Sequence, residues 1–185
     1  MNRKPAVWKN PKLWALGIGQ TLCWASLFYI FPALLVRWEG AFDWNRENLT
    51  FAFSGALFVA SLAGVLAGRI IDQGKSHLLL SGSAVLGAML LAGLPYISTL
   101  LQFYLIWLGM GLAMAGCLYE PCFAYLTRRY QKEAKRPIVM ITLMAGFAGT
   151  ICFPIANAIT DLIHWQASVW LFAASTGFIA APLLW

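Results

Sequence analysis

The feature that most limits the fold of this chain is a set of long apolar blocks that contain no charged side chain. Four such blocks of 20 to 24 residues cover 13–36, 49–68, 138–160 and 165–185, and a fifth block, 78–119, has 42 residues. A bilayer core of about 30 Å is crossed by about 20 residues of helix, so the longest block makes two crossings. The polar segment 95–99 is the expected turn between them. The sequence therefore predicts six membrane-spanning helices.

Composition agrees with this interpretation. The chain is 61% hydrophobic and only 11% charged, whereas about a quarter of the residues in a soluble domain are charged. We expect a cytoplasmic N-terminal tail at 1–12 and one transmembrane domain at 13–185. The expected spans are 13–36, 48–68, 78–96, 101–126, 138–160 and 166–185. The first block is too long for the apolar region of a secretory signal peptide, so it is counted as a span.

The positive charge of the chain is unevenly distributed. The N-terminal tail and the loops that follow the second and fourth spans hold 11 of the 13 basic residues. The positive-inside rule places this side in the cytoplasm, together with both ends of the sequence. The net charge of +6 thus indicates orientation in the cytoplasmic membrane, and no nucleic-acid partner is expected.

The two halves of the sequence resemble each other. Pro32, Phe58 and Asp72 each have an identical residue 89 positions later, and the Leu-Gly-x-Gly segment at 16–19 recurs at 108–111. Chance similarity between glycine-rich helices is the alternative. Three is an odd number of spans, so the second copy starts on the other side of the membrane and is inverted relative to the first. Inverted repeats of this kind are typical of transporters, whose solute site lies near the repeat interface.

The loop between the second and third spans carries a recognisable pattern. It contains Gly68, Arg69, Asp72, Gly74 and Lys75, and it resembles the loop 2–3 signature of the major facilitator superfamily. In that family the loop packs against the other half of the protein and helps to close one face. The loop departs from the signature in two ways. Gln73 stands where the signature has a basic residue, and the spacing from Asp72 to Gly74 is one residue shorter than in the signature. An ordinary solvated turn is the alternative.

Segments throughout the chain resemble the same family. They are 43–54 at the entry to span 2, 111–121 in span 4, 146–154 in span 5 and 164–166 before span 6. The resemblance implies an all-α integral membrane fold of six transmembrane helices, arranged as two inverted three-helix repeats. That arrangement is the N-terminal half of a twelve-helix carrier. Leu105 and the pair Asn157 and Ala158 stand where drug antiporters have a basic residue and paired glycines, which argues against that subfamily.

Glu120 is the one ionisable side chain, tyrosines aside, that lies well inside a predicted span. A charged residue at the bilayer centre costs about 2.5–3.5 kcal/mol on insertion scales and usually faces the bundle interior or a cavity. Three interpretations remain open. In the first, Glu120 binds the solute or a coupling proton. In the second, it pairs with a basic group of loop 2–3 or of the cytoplasmic end of span 4. In the third, it is solvated at a frayed helix end.

Four other polar or aromatic residues are candidates for the same pathway: Gln20, Trp24, Tyr119 and Asn157. Gln20 and Trp24 are one turn apart and share a face of span 1. Each of the four also has a simpler interpretation as a contact between packed helices. Their aromatic content favours an organic solute over an inorganic ion.

The expected function is secondary active transport of a small solute by alternating access, with proton coupling as one option. No cofactor is expected, and the spans offer no histidine or nucleophile and base pair for an enzyme. A non-transporting membrane partner or sensor built on the same fold is the alternative. A complete carrier needs a second six-helix half, which is a continuation of this chain, a second copy, or a different half-chain.

Overall fold

The computed structural model describes residues 10–185, so the basic residues Arg3, Lys4 and Lys9 of the expected tail lie outside the described residues. Within that range the chain forms six helices that are long and apolar enough to cross a membrane. They are α1 Pro11–Phe42, α2 Arg46–Asp72, α3 Ser76–Tyr96, α4 Leu100–Glu133, α5 Lys135–Leu162 and α6 Trp165–Leu183. Helices α1 to α5 extend beyond the predicted spans because flanking polar residues continue each of them into the interfacial region of the membrane. Helix α6 instead ends at Leu183, within its apolar block.

The ends of the helices follow local sequence signals. Asn10 accepts a hydrogen bond from the backbone N–H of Lys12 and Pro11 occupies the first turn, which is the usual start of a helix. Thr99 and Gln102 form a capping box at the start of α4. Gly74 adopts a positive φ of 82° in the turn after α2, a conformation that side chains other than glycine rarely tolerate.

The packing of the helices has the internal symmetry of a repeat. Helix α4 packs along α2 and α3, whereas α1 packs along α5 and α6, and α3 contacts α6. Exchanging α1 with α4, α2 with α5 and α3 with α6 leaves this pattern of neighbours unchanged. The structure therefore consists of two similar three-helix units.

The helix boundaries give the same result with a single offset. Helices α4, α5 and α6 begin at Leu100, Lys135 and Trp165, and each start lies 89 residues after the start of its counterpart, at Pro11, Arg46 and Ser76. This is the offset of the matches at Pro32, Phe58 and Asp72 in the sequence. The prediction of two inverted three-helix repeats is confirmed.

Two equivalent polar contacts, one at each end of the bundle, join the two repeats to each other. The side chain of Arg37 in α1 forms an ion pair with Asp161 at the end of α5. In the other repeat, Arg128 in α4 donates to the backbone carbonyl oxygens of Ile71 and Asp72 at the end of α2, at 3.0 Å and 2.5 Å. Each contact joins the first helix of a repeat to the second helix of the other repeat.

Two helices leave most of their apolar surface uncovered. In α2, Phe51, Phe58 and Leu62 are 73%, 67% and 61% exposed, and in α5 Leu143 and Phe147 are 60% and 63% exposed. By contrast, the interior between α1 and α4 contains fully buried aromatic rings such as those of Trp38 and Trp107. The core therefore lies around α1 and α4, and α2 and α5 present apolar faces to lipid or to another protein.

Candidate functional site

A cavity of about 440 Å³ lies between α1, α2 and α4, and exposed residues such as Ser61 and Glu120 lie on its open side. Its walls are mostly apolar and aromatic, and its polar groups include the side chains of Glu120, Tyr119 and Ser61. Pockets of this size and composition, with a few polar groups, are typical binding sites for small organic molecules. The cavity is therefore the candidate site for a solute.

Glu120 stands on the wall of this cavity that α4 contributes. Its carboxylate lies against Gly64 of α2, where a Cβ atom built on the glycine would come within 3.1 Å of Oε2. Among residues 10–185 the carboxylate has no hydrogen bond and no ion pair. The sequence suggested a basic group at the end of span 4 as a partner for Glu120. Arg128, which lies there, instead donates to the backbone at the end of α2.

Aromatic rings line the cavity beside Glu120, which is itself exposed. The rings of Trp24 and Tyr119 are 4.6 Å apart between centroids, and Trp24 also contacts Phe28 at 5.1 Å. Tyr119 stacks on Phe123 at 5.0 Å, with the ring planes 14° apart. The Tyr119 hydroxyl donates weakly to the carbonyl oxygen of Thr142 in α5, at 3.4 Å. The predicted residues Trp24, Tyr119 and Glu120 are thus brought together in one site.

A break in α4 places Glu120 in this position. The helix is interrupted at Leu118, whose backbone is extended, and it resumes at Tyr119. Pro121 contributes to the break, because proline has no backbone N–H to bond the carbonyl of Cys117 four residues earlier. The first turn after the break holds Tyr119 and Glu120, so both side chains leave the helix at its interrupted point. Broken helices of this kind in membranes occur where backbone is buried in protein or lines a cavity.

Gln20 has a structural role at this break. It is fully buried, and its Nε2 donates to the free carbonyl oxygen of Cys117 at 2.6 Å. The hydrogen bond links α1 to the interrupted turn of α4 and satisfies the acceptor that Pro121 leaves without a donor. Gln20 is not one of the residues that line the cavity. The structure therefore places it behind the site.

Asn157 lies away from the cavity. Its Nδ2 donates to the carbonyl oxygen of Phe153 in its own helix at 2.9 Å, and it does not line the cavity. Sequence reasoning missed the contribution of α2, which supplies Leu57, Ala60 and Ser61 to the wall. It also missed Phe123, although its spacing of four residues from Tyr119 could have indicated it.

The predicted gating loop forms the turn between α2 and α3. Arg69, Asp72 and Lys75 are exposed, and Gly74 makes the turn. Gly68 has an open face, since a Cβ atom built on it would meet no atom within 4 Å. The backbone carbonyl oxygen of Asp72 accepts a hydrogen bond from Arg128. The motif residues thus form a surface that points away from the core of this six-helix unit.

Taken together, the six apolar helices, the inverted repeat and the aromatic cavity define a multi-pass membrane protein with the architecture of a carrier. The family model of the Major Facilitator Superfamily matches residues 16–185. The chain belongs to this superfamily of transporters, and the resemblance to the family that the sequence indicated is confirmed. Its six spans correspond to a half-domain of the transporter fold. No curated protein matches the chain significantly.

Proposed function

We propose that the chain is one half of a secondary active transporter and that the cavity between α1, α2 and α4 is its part of the solute pathway. The observation that carries the proposal is Glu120, a carboxylate in an aromatic cavity with no ionic partner among residues 10–185. An ionisable group in a membrane span is a candidate for solute binding or proton transfer. Its location at a helix break adds support, because a broken helix is a common site element in transporters.

The cavity favours a small organic solute. Trp24, Phe28, Tyr119 and Phe123 offer ring faces for apolar or cationic groups, and the carboxylate offers one charged acceptor. The carboxylate can bind either a proton or a positively charged group of the solute, but not both at the same time. Competition of this kind would couple solute movement to proton movement.

The exposed faces of α2 and α5 support a second six-helix unit beside this one. Apolar side chains cover both faces, and the loop 2–3 motif lies at one end of α2 with Gly68 open to close approach. In the proposed carrier the second unit covers these faces and completes the solute site. A continuation of the chain, a second copy or a different half-chain would each have the necessary geometry. Both ends of the chain are proposed to be cytoplasmic.

The test is transport in membrane vesicles that contain the full gene product. The experiment measures accumulation of a labelled panel of amino acids, sugars and organic amines under an inward or outward pH gradient. Glu120→Gln is expected to abolish accumulation driven by the gradient and to leave exchange of solute measurable, because the amide keeps its size but cannot release a proton. Glu47→Gln is the matched control, since Glu47 lies in the first turn of α2 away from the cavity.

Each result has a clear meaning. Loss of accumulation in Glu120→Gln alone supports the proposed role of this carboxylate. Unchanged accumulation removes Glu120 from the coupling mechanism but leaves transport in place. Absence of flux for every solute in either direction contradicts the transport proposal and favours a non-transporting membrane partner or sensor.

A further inference from the structure

A second cavity, of about 450 Å³, lies at the opposite end of the bundle core from the ion pair of Arg37 and Asp161. It is bounded by the starts of α1 and α3 and by the ends of α4 and α6. Lys12, Gly74, Arg129 and Trp185 from these four positions all reach it, so the basic segments of the chain converge at this end. This cavity is separate from the one that contains Glu120.

The polar lining of the cavity is entirely cationic or neutral. Lys12, His77 and Arg129 line it, and no aspartate or glutamate does. Among residues 10–185 neither Lys12 nor Arg129 has an acidic partner. The two cationic side chains of Lys12 and Arg129, with no aspartate or glutamate between them, create a local positive potential that favours an anion.

Neutral donors reinforce this preference. The hydroxyl oxygen of Tyr130 accepts a hydrogen bond from Asn10 Nδ2 at 3.1 Å, which leaves its own proton available to donate. Tyr125 supplies a second phenol. The first turn of α3 has no side-chain cap and begins at the edge of the cavity, so its backbone N–H groups carry a partial positive charge. Phosphate oxygens are the acceptors that such a set of donors matches.

The other wall of the cavity is apolar. Leu13, Leu16, Leu80 and Leu184 line it beneath the charged rim. Trp185 is 69% exposed and lies edge to face with His77 at 4.9 Å. A charged rim over an apolar wall at the end of a transmembrane bundle has the polarity of the boundary between lipid headgroups and acyl chains. A free anion would use the rim and leave this apolar wall without a function.

We propose that this cavity binds the phosphodiester headgroup of an anionic glycerophospholipid from the cytoplasmic leaflet, the leaflet on the side of the basic loops. The first part of an acyl chain lies against the leucine wall. Arg129 and Lys12 bind the phosphate oxygens, and His77 and the phenols of Tyr125 and Tyr130 complete the site. Basic pockets between helices on the cytoplasmic side are known to hold such headgroups. The bound lipid contacts the ends of α1, α3, α4 and α6 at the same time.

The test is lipid binding to the purified full-length protein. Native mass spectrometry in detergent measures the affinity for dioctanoyl-phosphatidylglycerol, for dioctanoyl-phosphatidylcholine and for inorganic phosphate. The variant Lys12→Gln with Arg129→Gln is expected to weaken binding of phosphatidylglycerol at least tenfold, since each basic residue near an anionic headgroup contributes about fivefold. The matched control is Lys132→Gln with Arg136→Gln, which removes two charges from the same face outside the cavity.

The expected result is tighter binding of phosphatidylglycerol than of phosphatidylcholine, lost in the cavity variant and kept in the control. An equal loss in both variants would show that the charge of the whole face attracts the lipid, and would overturn the site. Inorganic phosphate that binds as tightly as the lipid would overturn the lipid assignment in favour of a free anion. Monodisperse elution of both variants at the volume of the native protein checks that each is folded. Transport activity does not enter any of these outcomes, so they are independent of the proposed function.

Discussion

Replacement of Gly111 by alanine tests the packing that forms the solute cavity. Gly111 lies in α4 where it crosses α2, and α2 and α4 then diverge around the cavity. A Cβ atom at this position would overlap the carbonyl oxygen of Ala56 and lie 3.0 Å from both the carbonyl carbon of Ala56 and Cβ of Val59. These atoms belong to the backbone of α2 or are attached directly to it, so none can rotate away. The added methyl group must therefore push the two helices apart.

The magnitude follows from two opposing effects. Overpacking of a core contact costs about 1–3 kcal/mol, and alanine in place of glycine gains about 1 kcal/mol of helix propensity. Gly82 in α3 is the matched control, because a Cβ atom built there meets no atom within 4 Å. The propensity gain is common to both variants and cancels between them. Gly111→Ala should thus be less stable than Gly82→Ala by about 1–3 kcal/mol.

The assay is the free energy of unfolding in mixed micelles, obtained by titration with a denaturing detergent and followed by circular dichroism. Equal stability of Gly111→Ala and Gly82→Ala, within about 0.5 kcal/mol, would refute the close approach of α2 to α4. Because Ala60 of α2 and Met114 of α4 both line the cavity, Gly111→Ala should also reduce transport more than Gly82→Ala does.

Three further predictions concern polar contacts between helices. Gln20→Leu should cost about 0.6 kcal/mol of unfolding free energy, and the cost should disappear in a Pro121→Ala background, because the restored N–H can bond the carbonyl that Gln20 serves in the native protein. Arg128→Gln should speed amide hydrogen exchange in the last turn of α2, because that turn loses the donor to its terminal carbonyl groups. Asp161→Asn removes the exposed ion pair with Arg37 and should lower the unfolding free energy by less than about 1 kcal/mol, and high salt should reduce the difference from the native protein.

Each of these has its own control. Additive effects of the Gln20 and Pro121 substitutions in the double variant would contradict the shared carbonyl. Arg136→Gln removes a cation from the first turn of α5 and should leave exchange in α2 unchanged. Equal acceleration in both arginine variants would therefore count against the cap. A stability difference for Asp161→Asn that persists at molar salt would show that the pair is not governed by screened surface charge.

The class of fold and the number of spans follow from the sequence because each depends on local quantities. A block of about 20 apolar residues without charge has one stable form in lipid, a helix that bonds its own backbone. The repeat is visible at Pro32, Phe58 and Asp72, since identical residues at one offset survive in equivalent positions of the two units. The loop motif is read from its resemblance to the family signature, and its role in gating stays a prediction.

The grouping of the candidate residues was only partly predictable. Trp24, Tyr119 and Glu120 share the cavity as expected, whereas Gln20 bonds a backbone carbonyl behind it and Asn157 bonds its own helix. Helical periodicity tells which residues share a face of one helix. It does not tell which neighbour that face meets, because that depends on contacts between residues far apart in the chain.

Sequence alone therefore determined that this protein crosses the membrane six times as two related units of three helices, since lipid leaves an apolar segment no alternative to a helix. Only the tertiary structure decided that α2 closes one wall of the cavity, that the break at Leu118 turns Glu120 into it, and that the ends of four helices enclose a second cavity. Those features arise where helices distant in sequence touch, and the small volume of a glycine or the missing donor of a proline determines how closely they approach.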